Sequence, residues 1–174
     1  MIWMAGPVKG ARRIARLALL TAIALTIFMA EAQLPPVAVT IPGVKLGLAN
    51  IVTVYAVFVL GPGDALLVLS GRVFLGAVFS GQPMTLIYSA AGGLLSWCVL
   101  CLLRKALTEK QIWLASPVAA VFHNLGQLLA AAAVLRSWAV MAYLPYLIIA
   151  AVLAGLFTGL AAQALIRRLD RIKT

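Results

Sequence analysis

A chain of 174 residues that is 64% hydrophobic and 10% charged has room for about six membrane spans of roughly 20 residues, and excludes a soluble domain. Its net charge of +10 invites a nucleic-acid reading, but the cations cluster at the ends of apolar runs rather than along one face, so no nucleic-acid partner is expected. The four acids, Glu31, Asp64, Glu109 and Asp170, are far apart in sequence, and Cys98 and Cys101 lack further ligands, so no metal site is expected.

The predicted elements follow in chain order. Residues 1–13 form a basic segment that ends in Arg12 and Arg13, and a first span runs from Ile14 to Glu31. Its basic start and the Ala30-Glu31-Ala32 run also fit a secretory signal, but a following multi-span protein favours a retained helix. Pro35, Pro36 and Pro42 then prevent a regular helix. The second span is predicted from Val44 or Lys45 to Leu60, closed by the Gly61-Pro62-Gly63 turn. The third runs from Asp64 to Ser80, the fourth from Met84 to Leu103, the fifth from Ile112 to Leu135 and the sixth from Tyr143 to Ile166. Residues 14–166 thus make one all-α, six-helix membrane domain, followed by a basic tail over 167–174.

Eleven of the fourteen Lys and Arg residues fall in residues 1–16, the 104–110 loop and the tail, while Lys45 and Arg136 occupy the other side. The positive-inside rule therefore predicts a multi-pass protein of the cytoplasmic (inner) membrane, in contact with lipid, with both termini cytoplasmic.

Polar residues inside these spans are the candidate site, because ionisable groups in a bilayer cost several kcal/mol unless paired or hydrated. At about 1.5 Å per residue, Arg72 lies about 12 Å along its span, His123 about 16 Å, and Gln127 and Glu31 about 22 Å. Asn50 and Tyr88 fall about 7 and 6 Å inside the outer ends of their helices by the same measure. The set runs from the midplane outward. A channel would need polar lining at every depth, so a one-sided cup for a small solute fits better. His123, Asn124 and Gln127 offer mixed donors and acceptors to a ligand, or hydrogen bonds between helices. Arg72 suits an anionic group, or else an ion pair with Glu31. Lys45 either lines the rim or snorkels. Ala18-x-x-x-Ala22 gives the first helix a small-residue stripe that admits a partner helix or a bundle neighbour; Ala151, Gly155 and Gly159 do so on the sixth, where internal packing is preferred. No P-loop or nucleophile elbow is present, so no enzymatic activity is expected.

The runs Glu31-Ala32-Gln33-Leu34-Pro35-Pro36 and Pro42-Gly43-Val44-Lys45-Leu46-Gly47-Leu48-Ala49-Asn50 resemble the Gx transporter family, also labelled heptaprenyl diphosphate synthase component I. Gly61-Pro62, the region around Arg72, Tyr88-Ser89-Ala90-Ala91-Gly92-Gly93 and His123-Asn124-Leu125-Gly126-Gln127 extend the resemblance over nearly the whole chain. That family is similar to the substrate-binding S components of energy-coupling factor (ECF) vitamin transporters. The resemblance implies a six-helix, outward-facing binding subunit that takes up a small solute; no cofactor of its own is expected. Its partners would be a transmembrane coupling subunit, docked at Ala18 and Ala22, and two ATPases. It marks Glu31, Gln33, Lys45, Asn50, Arg72, Tyr88, His123, Asn124 and Gln127 as substrate-binding candidates, with a flavin as candidate ligand. The same label also implies a subunit of a polyprenyl diphosphate synthase, and family associations imply a membrane subunit of a flavin-linked electron-transfer system.

Overall fold

The computed structural model describes residues 10–33, 47–108 and 111–173, with side chains as far as Arg168. Among these residues there is no strand. Six α-helices follow one another in the described residues: α1 (Ala11–Glu31), α2 (Asn50–Val59), α3 (Pro62–Ser80), α4 (Pro83–Ala106), α5 (Ile112–Leu135) and α6 (Leu144–Lys173), with a 3-10 helix at Trp138–Tyr143 before α6. Prolines open α3 and α4, where the missing N–H would have no intrahelical partner. Gly81 closes α3 in the left-handed region at φ 64°.

Five of the helical segments are long and apolar enough to cross a bilayer, and the architecture is that of a multi-pass helical membrane protein. Six helices are present among the described residues, as expected, but α2 is shorter than the predicted second span. That helix has ten residues, about 15 Å of rise. Gly47, at φ 81°, and a turn through Leu48 and Ala49 delay its start to Asn50. The predicted stretch before Gly47 lies outside the described residues. Even so, α2 carries the chain from the Glu31 end of α1 back to the start of α3, where Asp64 accepts hydrogen bonds from Arg13 Nη2 (2.5 Å) and Nε (3.0 Å) at the start of α1. Thus α1 and α3 run parallel.

The helices α4, α5 and α6 pack at backbone distance. A Cβ on Gly126 would lie 2.7 Å from the Ala91 carbonyl oxygen, and one on Gly159 would lie 2.5 Å from that of Trp113. Pro117 cannot donate to Trp113, four residues before it, so Gly159 approaches a carbonyl that the proline leaves free. The small stripe of α6 is internal packing, as its sequence suggested. Hydroxyl and amide bonds reinforce it: Ser116 and Thr158 lie 2.9 Å apart, and Asn124 Nδ2 donates to the Leu147 carbonyl at 3.1 Å. The outer surface stays apolar: Phe157 is 71% exposed and Leu153 65%.

Two apolar clusters bracket the middle of the bundle. One holds Val57, Phe58, Leu100, Ile112 and Ile166; the other holds Tyr88, Leu128, Ala131, Val140 and Leu147. Along α4 and α5, Gly92, Ser96, His123 and Gln127 fall between them. That polar layer is where the candidate site lies.

Candidate functional site

Five helices, α1 to α5, and the turn before α2 converge here. Arg72 comes from the middle of α3, 4% exposed, with its guanidinium carbon 5.7 Å from the Phe28 ring centre of α1. Cation–π contact of this kind contributes about 0.5–2 kcal/mol. The Glu31 charge also acts on Arg72. Yet among the described residues the ion pair is Arg13–Asp64, and Glu31 does not close one with Arg72. Instead the Glu31 carboxylate accepts from the backbone N–H of Gly47 (2.7 Å) and of Leu48 (2.9 Å). It thereby ties the end of α1 to the turn that begins α2. A carboxylate on free amides at a helix start is favourable electrostatically as well as geometrically.

That turn lies on His123. A Cβ on Gly47 would stand 2.8 Å from His123 Cδ2, so only glycine lets the backbone rest on the imidazole. From the α4 side Gly92 does the same: its Cβ would meet the His123 carbonyl oxygen at 2.6 Å and Gln127 Cγ at 2.8 Å. His123 and Gln127 are 3% and 2% exposed. At the first residue of α2, Asn50 accepts from Ser96 Oγ of α4 at 3.1 Å, while its buried Nδ2 has no partner among the described residues. An unpaired buried amide donor costs about 1–3 kcal/mol, so this atom points to an acceptor that a ligand or water supplies.

The predicted residues therefore separate into groups. Glu31, Asn50, Arg72, His123 and Gln127 come together. Asn124 is fully buried and turns to α6, with its Oδ1 unpartnered. Tyr88 packs in the apolar cluster with Leu128 and Leu147. Gln33 is exposed in the turn after α1, and Lys45 lies outside the described residues. Ala18 and Ala22 are both exposed on α1, a helix whose buried residues are Ala24, Phe28 and Glu31. Sequence reasoning missed four contributors: Gly47, Gly92, Ser96 and Phe28. The two glycines stood inside the recognised runs, but neither Ser96 nor Phe28 stands out in an apolar helix. A separate apolar crevice of about 320 Å³, lined by Phe74, Val78, Pro83 and Leu86 among others, contains none of the polar set.

The sequence profile of heptaprenyl diphosphate synthase component I matches residues 20–165, most of the chain. The chain belongs to that family. The matched span contains the whole polar layer of this component I family member, from Glu31 to Gln127, and ends just before the basic end of α6. No curated protein and no solved structure matches it.

Proposed function

We propose that this component I family member is a membrane-embedded substrate-binding subunit, S-component-like, for uptake of a small solute from outside the cell. The observation that carries the reading is Arg72. It is a buried cation at mid-depth with an aromatic face beside it and, among the described residues, no carboxylate at ion-pair distance. A charge left so costs several kcal/mol in hydrocarbon. An anionic ligand group would offset that cost through a planar two-pronged contact. Asn50 Nδ2, His123 and Gln127 would then supply directional hydrogen bonds to a ring or amide. One anionic end and one hydrogen-bonding ring describe a flavin nucleotide or a related cofactor. The exposed Ala18 and Ala22 support docking of a transmembrane coupling subunit, with ATPases as the energy source. By the positive-inside rule both termini would be cytoplasmic.

Mass spectrometry of small molecules released from freshly purified protein tests this. A stoichiometric anionic heteroaromatic compound is the expected result; its absence, with no binding of added candidates, would refute it.

The family description favours a second reading, as a subunit of a prenyl diphosphate synthase. Among the described residues, however, no three His, Cys, Asp or Glu side chains converge. Magnesium-assisted diphosphate transfer calls for such a carboxylate cluster, so a soluble partner would have to supply it. Product formation from allylic and homoallylic diphosphates, with and without that partner, separates the two readings.

A further inference from the structure

The cations of this bundle gather at one end. Arg12 and Arg16 stand in the first turns of α1, Arg104 and Lys105 in the last turn of α4, and Arg167 and Arg168 on the far part of α6. Contacts between elements hold these ends together. Arg13 bonds Asp64 at the start of α3. Arg104 Nη1 comes within 3.6 Å of the position a Cβ would take on Gly61. Ile166, just before Arg167, packs in one cluster with Leu100 and Ile112.

Their depths are similar, with Arg16 about one turn further into its helix than Arg12. A hydrocarbon core of about 30 Å takes roughly 20 helical residues. Counted from the starts of their helices, Arg167 lies about 35 Å along α6 and Lys105 about 33 Å along α4. A hydrocarbon core that begins at those helix starts leaves both residues at headgroup level. Arg12 stands at the same level, at the opening of α1. Asp64, the acid described at this end, is already bonded by Arg13. That leaves Arg12, Arg16, Lys105, Arg167 and Arg168 exposed, with no acidic partner among the described residues. At the opposite end the described cation is Arg136.

We infer that this end is a docking surface for anionic phospholipid headgroups, which would bridge the ends of α1, α4 and α6. Charge complementarity and depth select the occupant: the cations cluster within about one helical turn of the level expected for lipid phosphates. The inference is independent of the solute site, which sits at mid-depth.

The test is native mass spectrometry of the full chain taken from bilayers that hold phosphatidylglycerol and phosphatidylcholine with identical acyl chains. Phosphatidylglycerol should be retained preferentially, and high salt should erase the preference because these charges are exposed. Arg167→Gln with Arg168→Gln should lower the preference about fivefold per cation removed. Arg136→Gln, at the other end, should leave it unchanged. Because all these side chains are exposed, the variants should keep the wild-type melting temperature, which checks folding separately. Equal retention of the two lipids by the wild type would overturn the inference. So would an equal loss from Arg136→Gln. Unchanged lipid preference in the double variant, together with loss of a bound acidic protein, would overturn it in favour of a protein partner.

Discussion

Glu31 binds two backbone amides from a position sixteen residues upstream of the nearer one. Its removal does more than delete a charge: Glu31→Ala leaves two N–H groups of a partly buried turn without their acceptor. Hydrogen bonds to a charged group contribute about 1.5–3 kcal/mol each, so chemical denaturation in detergent should show a loss of at least about 2 kcal/mol. Glu31→Gln, which keeps one acceptor, should lose less. Gly47→Ala should also destabilise, by about 1–3 kcal/mol, since it adds both strain at φ 81° and a clash with His123. A wild-type melting temperature in Gly47→Ala would mean that the turn does not rest on the imidazole. At this scale the sequence was half legible. Charged and amide residues in apolar runs stand out, and His123 and Gln127, four apart on α5, do share the polar layer. Asn124 was indistinguishable from them in sequence, yet its place on the helix turns it to Leu147. The Glu31–Arg72 pair was the alternative reading of Arg72, but two nearby amides hold the carboxylate instead.

At the scale of elements, α5 begins and ends where its apolar run does, while α4 and α6 continue into their basic ends. Nothing penalises Arg and Lys in the last turn of a helix, and the dipole favours them there. The short α2 was the main misreading. Its apolar run looks continuous from Val44 to Leu60, and a single glycine with positive φ is not visible as a helix break in such a run. The backbone contact of α4 with α5 was also illegible, because Gly92 and Gly126 acquire meaning only when paired in space. The α1 stripe has the opposite character. Ala18 and Ala22 are exposed, so Ala18→Leu with Ala22→Leu should leave melting temperature and solute binding intact while abolishing uptake in cells. Unchanged uptake would make the stripe a lipid-facing surface and remove the argument for a docked subunit. By contrast, Gly155→Leu on α6 should prevent folding, because Pro117 occupies the space that its side chain needs.

On the scale of the whole molecule, charge asymmetry predicts the orientation. In a background without Cys98 and Cys101, Ala139→Cys in the 3-10 helix should react with a membrane-impermeant maleimide added outside intact cells. Thr108→Cys, after α4, should react only once the membrane is opened. The reverse pattern would invert the bundle and turn the polar layer toward the cytoplasm. The central claim is that this layer binds an anionic, ring-bearing solute through Arg72. Calorimetric titration of flavin mononucleotide, riboflavin and an isoprenoid diphosphate into wild type and Arg72→Ala tests it most directly. The flavin nucleotide should bind the wild type, and Arg72→Ala should weaken it about ten- to a hundredfold, since each 1.4 kcal/mol of a lost charge-assisted contact is about tenfold. Equal affinity of the two proteins, or binding of the isoprenoid diphosphate alone, would contradict it.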